Sequence, residues 1–272
     1  MDAKFDQLTD ILRRLDGLLV AFSAGVDSTF LLKAAYMVLG DRAVALTAAS
    51  PTAPPGELEA ATAFARSLGC RHVIVSSNEL DNPSFARNPV NRCFFCKDEL
   101  YRICRAQARD LGISTIADGT NLDDLNDHRP GLEAARQWGI RHPLVEAGLT
   151  KDAIRRYSRE LGLPTWDKPS SPCLSSRFPY GTAINLDRLK QVGACEVFLK
   201  QLGFREFRVR YHGDLARIEV AQAEFDRFFD RAVRDAVVRQ FKATGFKYVS
   251  IDLQGYRSGS MNEAIHSGPV SA

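Results

Sequence analysis

A turn of small and polar residues interrupts an apolar run near the start of the chain. The run LLVAF at 18–22 ends in Ser23-Ala24-Gly25-Val26-Asp27-Ser28, and the helical pattern TFLLKAAYMVLG follows. A turn between a buried strand and a helix gathers backbone N–H groups and the positive end of the helix dipole. Small residues let an anion approach that backbone closely, so the turn predicts a phosphate site. A serine-rich turn that only caps a helix is the simpler alternative.

A second polar segment, DGTNLDD at 118–124, follows a later apolar run. Its carboxylates Asp123 and Asp124 suit Mg²⁺ bound against phosphates, because this ion keeps several waters and needs only one or two protein ligands. The alternative is a DG turn followed by an acidic helix cap.

The third candidate is a thiol. Cys173 lies in PTWDKPSSPCLSSRFPYGTAIN, a stretch rich in Pro and Ser, with Arg177 four residues further on. A cysteine is nucleophilic only as its thiolate, which nearby cations and backbone dipoles favour. We predict a nucleophile on an accessible loop, and an inert buried thiol is the alternative.

Two arginines alternate in the pattern FRVRYH, which places Arg208 and Arg210 on one face of a predicted strand. Two guanidinium groups on one face can bind one anion, such as a substrate phosphate, although paired arginines also occur simply as solubilising residues. In the next run, ARIEVA, Arg217 and Glu219 share a face, and a salt bridge is the ordinary interpretation.

Short apolar runs alternate with helical patterns in the first part of the chain. The predicted strands are LLVAF (18–22), AVALTA (43–48), HVIVSS (72–77) and STIADG (114–119), with helices over 29–39, 54–69 and 96–111. Strands that are apolar on both faces belong to a parallel sheet covered by helices, and such sheets bind ligands at the carboxyl ends of their strands. We expect an α/β domain over 1–165, with a doubly wound, five-stranded parallel sheet.

The pattern changes after this domain. Residues 166–185 are predicted to form an active-site linker loop, and 186–272 a smaller α+β domain. Its elements are a helix over 186–202, the strands FRVRYH and ARIEVA, a long helix over 222–243 and the strand YVSIDL.

Composition narrows the functional class. The chain of 272 residues has a net charge of +3, which is too small to indicate nucleic-acid binding. It shows neither a signal-peptide pattern nor the roughly 18 consecutive apolar residues of a membrane span. Six cysteines without secretion signals favour free thiols, metal ligation or catalysis over a disulfide framework. We expect a cytoplasmic protein that binds neither nucleic acid nor membranes.

The motifs resemble a known family when they are taken in order. The turn at 23–28 resembles the SGGxDS pyrophosphate loop (PP-loop) of the ATP pyrophosphatases, with Ala24 in place of the first glycine, and 118–124 resembles their GTNxDD segment. Further motifs are RCFFCK (92–97), SPCLSSRFPYG (171–181), RVR (208–210), ARIEV (216–220) and GYRSGSMN (255–262). Together they resemble the LarE family of ATP-dependent sulfur transferases in nickel-pincer nucleotide biosynthesis, from about residue 5 to residue 263.

The resemblance implies a mechanism. ATP adenylates a carboxylate of a pyridinium dicarboxylate mononucleotide and releases pyrophosphate. The thiolate of Cys173 displaces AMP to form a thioester, and cleavage of the cysteine Cβ–S bond leaves a thiocarboxylate on the substrate and dehydroalanine on the protein. A base must remove the Cα proton, and the sequence does not identify it.

The resemblance also implies roles for individual residues. ATP would be bound by Ser23, Ala24, Gly25, Val26, Asp27, Ser28, Asp118, Gly119, Thr120, Asn121 and Arg177. The substrate phosphate would be bound by Arg208 and Arg210, and metal by Asp123, Asp124, Glu196, Glu219 and Asp226. Glu196 and Asp226 lie on predicted amphipathic helices, where simple solvation is the alternative. The family implies a homo-oligomer.

Other interpretations remain open. Cys93 and Cys96 form a CxxC pair, for which we favour a structural or redox role; with Cys173 they would make a three-cysteine set for an iron–sulfur cluster. The sulfur source is then Cys173 itself, a cluster sulfide or a persulfide. A tRNA thiolase, an amide-forming synthetase of the NAD or GMP type, and a non-enzymatic nucleotide-binding regulator are the other functional classes.

Overall fold

The structure is a computed structural model that describes residues 2–126 and 130–257. The chain divides into two compact units: residues 2–85 and 90–171 form unit 1, and residues 86–89 and 172–257 form unit 2. Of the predicted linker, 166–171 belongs to unit 1 and 172–185 to unit 2.

Unit 1 is built on a parallel sheet of four strands. The strands are β1 Leu18–Ala21, β2 Ala43–Ala49, β3 Arg71–Ser76 and β4 Thr115–Ala117, in the order β3-β2-β1-β4. The helices are α1 Ala3–Arg13, α2 Val26–Leu39, α3 Glu57–Leu68, α4 Pro83–Ala86, α5 Arg92–Asp110, α6 Pro130–Gln137, α7 Pro143–Glu146 and α8 Lys151–Glu160, with α4 ending in unit 2. Short 3₁₀ turns cover 40–42, 79–81 and 122–126.

Both faces of this sheet are buried. Leu18 and Val20 of β1 pack into one apolar cluster, and Leu19 and Ala21 pack into a second cluster with residues of α5 and α6. Alternate side chains of a strand point to opposite faces, so helices cover both sides. The predicted doubly wound α/β fold is confirmed.

The strand order places a switch point beside β1. The chain runs from β1 outward to β2 and β3, and then returns to pair β4 with the other side of β1. Loops after β1 and β4 therefore leave the same edge of the sheet on opposite sides of a crevice, where open α/β sheets bind ligands.

The prediction of five parallel strands in this sheet is wrong for the described residues, where the sheet has four. Beyond β4 the ladder continues only as a single parallel bridge between Ala117 and Arg141. Pro143 follows two residues later and begins helix α7. Because proline cannot donate to a ladder and favours a helix start, it ends the pairing there.

Unit 2 contains a mixed sheet of three strands. The strands are β5 Phe207–His212, β6 Leu215–Val220 and β7 Tyr248–Ile251, and the helices are α9 Leu186–Gln201 and α10 Arg231–Ala243. β5 pairs with β6 antiparallel, and β6 with β7 parallel. Further 3₁₀ segments cover 174–177 and 222–229.

The long helix predicted over 222–243 is wrong. The first part is 3₁₀, and α10 begins only after Asp230, whose backbone is extended. The Asp230 carboxylate accepts hydrogen bonds from the N–H groups of Ala232 and Val233. This is the N-cap geometry that starts a new helix, and it interrupts what periodicity alone predicts as one.

Candidate active site

The predicted phosphate turn lies directly at the carboxyl end of β1. Gly25 is the N-cap of α2, so Val26, Asp27 and Ser28 form its first turn. The Ser28 hydroxyl accepts from the Ser23 N–H at 3.3 Å and lies 3.1 Å from the Ser23 hydroxyl. The first N–H groups of a helix lack partners within the helix, so this turn presents donors to an anion.

Ala24 holds the turn in a conformation that favours glycine. Its φ is +55°, in the left-handed region, and its side chain is buried. The alanine therefore keeps the backbone path that a glycine would take, at a conformational cost of about 1 kcal/mol. The Lys168 ammonium donates to the Ala24 carbonyl at 3.0 Å and to Glu57 at 2.6 Å, which secures this part of the turn.

The loop after β4 touches the phosphate turn. A Cβ added to Gly119 would lie 2.7 Å from the backbone nitrogen of Ser28, which is too close for any side chain. On the same loop, the Asn121 amide donates to Asp27 at 3.3 Å. The structure thus brings the two predicted nucleotide segments of unit 1 together at the switch point.

Lys151 is a member of this cluster that sequence reasoning missed. Its ammonium donates to the Asp27 carboxylate, and its backbone N–H donates to Asp123 at 2.7 Å. Lys151 is the first residue of α8, capped by Thr150. Arg141 pairs with Ala117 of β4, and α8 begins ten residues later at Lys151. A helix that begins so soon after this pairing is the sequence signal that could have placed Lys151 at this edge of the sheet.

Asp118 is the buried centre of a second network. His142 Nδ1 lies 2.8 Å from Asp118 Oδ1, and the Tyr101 hydroxyl donates to Oδ2 at 2.6 Å. Burial alone would raise the pKa of Asp118, but the His142 hydrogen bond and the Lys97 charge outweigh it and hold this pKa well below its usual value. Since the ionised carboxylate only accepts, the Nδ1 atom of His142 carries the proton. His142 and Tyr101 were not predicted.

Asp123 and Asp124, the predicted metal ligands of unit 1, each accept a hydrogen bond from a backbone N–H group. Asp124 accepts from the Asn121 N–H at 3.0 Å, and Asp123 accepts from Lys151. Mg²⁺ bound with ATP needs only one or two such carboxylates, because phosphates and waters supply the rest. The exposed Asp123 fits that use.

Cys173 in unit 2 is partly exposed, at the N-terminus of the 3₁₀ segment Leu174–Arg177. Its carbonyl accepts from the Ser176 N–H at 3.0 Å, the Ser176 hydroxyl at 2.9 Å and Arg177 at 3.2 Å. Burial instead raises the pKa of Cys104 and of Cys195 to about 12, which keeps both as thiols. Accessibility therefore separates Cys173 from these buried cysteines.

Arg177 is an internal anchor of the Cys173 loop. Its guanidinium forms a bidentate pair with Glu196, at 2.9 and 2.8 Å, and donates to the Pro172 carbonyl at 2.9 Å. The Arg177 and Glu196 side chains are only 2% and 8% exposed. The alternative that Glu196 is simply a solvated side chain on a helix surface is therefore wrong.

A second buried arginine–glutamate pair supports the same loop. Arg210 binds Glu219 at 2.9 and 2.8 Å and donates to the Ser176 carbonyl at 2.6 Å. Glu219 also accepts from Arg217 at 3.1 Å, which confirms the ordinary interpretation of that pair.

Arg208 lies with its guanidinium 4.8 Å from the centre of the Tyr256 ring. Burial and the charges of Arg177 and Arg210 lower the pKa of Arg208. The two predicted phosphate-binding arginines, Arg208 and Arg210, are buried, so the alternative of solubilising residues is wrong.

The structure does not support a metal site at Glu196, Glu219 and Asp226. Within residues 2–126 and 130–257, no group of three or more His, Cys, Asp or Glu side chains is placed to hold a metal ion. Glu196 and Glu219 are instead bound by arginines, and Asp226 lies in the 3₁₀ segment before α10. The same finding leaves the cluster of Cys93, Cys96 and Cys173 unsupported; Cys96 donates to buried Glu79 at 3.6 Å. Ser258–Asn262 of the last motif lie outside the described residues.

Comparison with known proteins identifies the family. The pyridinium-3,5-bisthiocarboxylic acid mononucleotide synthase of Lactiplantibacillus plantarum is 39% identical over 259 residues, which cover 95% of this chain and 93% of that protein. The chain belongs to the LarE family. The resemblance expected from the motifs is thereby confirmed, and the protein is a sulfur transferase of the LarE type.

Two further relatives match the LarE-like chain over most of its length. An uncharacterised protein of Synechocystis is 45% identical over 97% of this chain and 99% of its own length. An uncharacterised protein of Methanocaldococcus jannaschii is 27% identical over 89% of this chain and 91% of its own length. No family model matches the chain. None of the helices in the described parts of the chain has the length and apolarity to cross a membrane.

Proposed function

We propose that this protein is an ATP-dependent sulfur transferase that converts a carboxylate of pyridinium-3,5-biscarboxylic acid mononucleotide into a thiocarboxylate, for nickel-pincer cofactor biosynthesis. The observation that carries the proposal is the junction in unit 1 between the phosphate turn and Gly119, at the switch point of a parallel sheet. The L. plantarum relative, whose name states a bisthiocarboxylic acid mononucleotide product, supports the substrate class.

ATP binds with its phosphates against the N–H groups of the turn at 23–28, and the loop at 118–121 contacts the nucleotide. Asp123 and Asp124 would hold Mg²⁺, which would offset the negative charge of the phosphates. The substrate carboxylate attacks the α-phosphorus, and pyrophosphate leaves with the electron pair of the broken P–O bond. The product is an acyl adenylate.

Cys173 supplies the sulfur. Its thiolate attacks the acyl carbon, AMP leaves, and a thioester forms. A base then removes the Cα proton, the Cβ–S bond breaks, and its electron pair stays on sulfur. The products are a thiocarboxylate and dehydroalanine at position 173. Arg208 binds the substrate phosphate, while Arg177 and Arg210 hold the loop carbonyls at 172, 173 and 176.

Mass spectrometry of the Cys173 peptide tests this route, before and after incubation with ATP and the pyridinium substrate. We expect Cys173 to lose the elements of hydrogen sulfide, in an amount equal to the thiocarboxylate formed. Cys173→Ser should still release pyrophosphate but form no thiocarboxylate.

Cys93→Ser is the matched control, because Cys93 is exposed and lies in unit 1. It should retain product formation. Thiolated product together with an intact Cys173 would overturn the sacrificial route, and loss of product in Cys93→Ser would instead indicate a sulfur source that involves the CxxC pair.

A further inference from the structure

The CxxC pair of unit 1 lies in the first turns of a long helix. Cys93 is the second residue of α5 Arg92–Asp110, and Cys96 follows on the same face of that helix. The Phe94 N–H donates to the Asn91 carbonyl at 2.9 Å, which is an i→i−3 bond of the 3₁₀ type. Side chains three residues apart eclipse one another in such a turn, so its geometry favours a disulfide between the two cysteines.

The two thiols of the pair differ in their access to solvent. Cys93 is exposed, whereas Cys96 is partly buried. A thiolate in the first turn of a helix is stabilised by the N–H groups there, and the side chain of the N-cap residue Asn91 makes no hydrogen bond to them. Cys93 is therefore suited to attack a disulfide that arrives from solvent, and Cys96 is suited to complete the exchange.

A buried carboxylate lies beside the inner thiol. Glu79 is only 5% exposed, and the Cys96 thiol donates to its Oε1 atom at 3.6 Å. The Ser50 hydroxyl donates to Oε2 at 2.6 Å and holds the carboxylate in place. Because a cysteine attacks only as its thiolate, an enclosed thiol needs a base within reach, and Glu79 lies where such a base is needed.

The surroundings of Cys96 differ from those of a structural cysteine in the same unit. The Cys70 thiol donates to the Ala43 carbonyl at 3.2 Å, and a carbonyl does not take up the proton of a thiol. Lys97 keeps a positive charge next to Cys96, because Tyr101 and, to a smaller degree, Cys96 raise the pKa of its ammonium. A cation of this kind stabilises a neighbouring thiolate.

We propose that Cys93 and Cys96 form a reversible dithiol–disulfide site that exchanges with small disulfides such as oxidised glutathione. The Cys93 thiolate attacks one sulfur of the small disulfide, the S–S bond breaks, and one thiolate leaves with the electron pair. Glu79 takes the proton of Cys96, whose thiolate attacks the Cys93 sulfur and expels the second small thiolate. The protein loses two electrons and two protons, and one small disulfide becomes two thiols. This exchange needs neither ATP nor the pyridinium substrate.

Anaerobic incubation of the full-length protein with mixtures of oxidised and reduced glutathione tests the site by mass spectrometry. Trypsin cleaves after Arg92 and Lys97, so one peptide, Cys93–Lys97, carries both thiols. We expect this peptide to lose two hydrogen atoms with oxidised glutathione and to regain them with reduced glutathione. Glutathione that stays on Cys93 without an internal disulfide, or no reaction of either thiol, would overturn the inference.

The rate of the second step tests the part assigned to Glu79. Glu79→Gln should slow release of the second glutathione by about 100-fold, which is at the lower end of what a positioned general base contributes. The first attack by Cys93 should keep its rate, because it does not involve Glu79. If Glu79→Gln does not fold, Glu79→Asp replaces it, since the shorter side chain withdraws the carboxylate from Cys96.

Glu99→Gln is the matched control for this step. Glu99 also lies on α5, but its carboxylate accepts from the Ser77 hydroxyl at 3.1 Å and from the Asn78 N–H at 3.2 Å. Both steps should therefore keep their rates in Glu99→Gln. An unchanged second step in Glu79→Gln, or equal slowing in the two variants, would show that Glu79 is not the proton acceptor.

Discussion

The two loops that carry the proposed chemistry are held by different kinds of contact. The phosphate turn of unit 1 relies on backbone geometry and on lysines that solvent reaches, since Lys151 is 36% exposed and Lys168 24%. The Cys173 loop of unit 2 is fixed by arginine–glutamate pairs, and Arg177 is 2% exposed.

The difference matches what each loop has to do. A phosphate site must exchange its own charge partners for ligand charges in every turnover, so its ion pairs should be weak and accessible. A loop that presents a nucleophile benefits from a fixed backbone, and buried bidentate pairs supply it because a broken pair leaves an uncompensated charge. We infer that the loop of unit 1 can exchange its charge partners for those of a ligand, whereas the loop of unit 2 keeps a fixed backbone.

The largest expected effect is loss of stability when a buried pair in unit 2 is broken. Glu196→Gln keeps the shape of the side chain but leaves the Arg177 charge unpaired, so it should lower the free energy of unfolding by about 3–5 kcal/mol. Urea unfolding measures this. Asp214→Asn is the control, because its pair with Lys247 is 60–69% exposed and should contribute less than about 1 kcal/mol.

Lys151→Met removes the ion pair with Asp27 at the phosphate turn of unit 1, for comparison with the pair broken in unit 2. Its stability should stay within about 1 kcal/mol of the unaltered protein, because the lost pair is partly exposed. Equal destabilisation by Glu196→Gln and Lys151→Met would contradict the distinction between the two loops.

The next effect concerns the buried carboxylate of Asp118, which precedes Gly119 in the loop that touches the phosphate turn. Asp118→Asn should lower the free energy of unfolding by about 1–3 kcal/mol at neutral pH, because it weakens the contacts to His142 and Tyr101. The folded pKa of Asp118 lies below its ordinary value of 3.8, so the charged form stabilises the fold above that pH. This contribution is lost as the pH falls below 3.8 towards the folded pKa.

Urea unfolding at several pH values checks the sign. The difference in stability between the unaltered protein and Asp118→Asn should shrink as the pH falls below 3.8. A difference that grows as the pH falls would show that Asp118 is neutral in the folded protein.

The sequence predicted the parts of the fold that local pattern determines. Apolar runs located β1 to β4, and the turns after β1 and β4 located the ligand edge. The pattern could not show that Pro143 ends a fifth strand after one bridge, or that Asp230 divides a periodic segment by capping a new helix. The end of the strand and the start of the helix each depend on hydrogen bonds to particular backbone groups, which the apolar pattern does not reveal.

The candidate site was predicted unevenly for a related reason. Gly119 and Cys173 could be located from the sequence because they lie in the motifs at 118–124 and 171–181. Lys151 could not be located in this way, since a lysine at a helix start is usually solvated, and only the fold brings it to Asp27. Glu196 was assigned to metal because the sequence could not reveal Arg177 as its partner.

The smallest expected effect tests the backbone of the two loops. Ala24 in unit 1 and Asn88 in unit 2 are the described residues other than glycine with positive φ, at +55° and +56°. Ala24→Gly relieves about 1 kcal/mol of left-handed strain, but it costs about 0.5 kcal/mol of chain entropy and about 0.8 kcal/mol for the buried methyl group that is lost, so stability should change by less than about 0.5 kcal/mol. Thermal unfolding measures the change.

Asn88→Gly should have a larger effect, and a destabilising one. The Asn88 amide donates to the carbonyls of Phe178 and Pro179, at 3.2 and 2.8 Å, so its removal should destabilise the protein by about 1–2 kcal/mol. Strain at Ala24 has no side-chain hydrogen bond to compensate it, whereas the conformation of Asn88 is secured by its own amide. Stabilisation by Asn88→Gly would mean that backbone strain, and not the side-chain contact, governs the stability of the loop in unit 2.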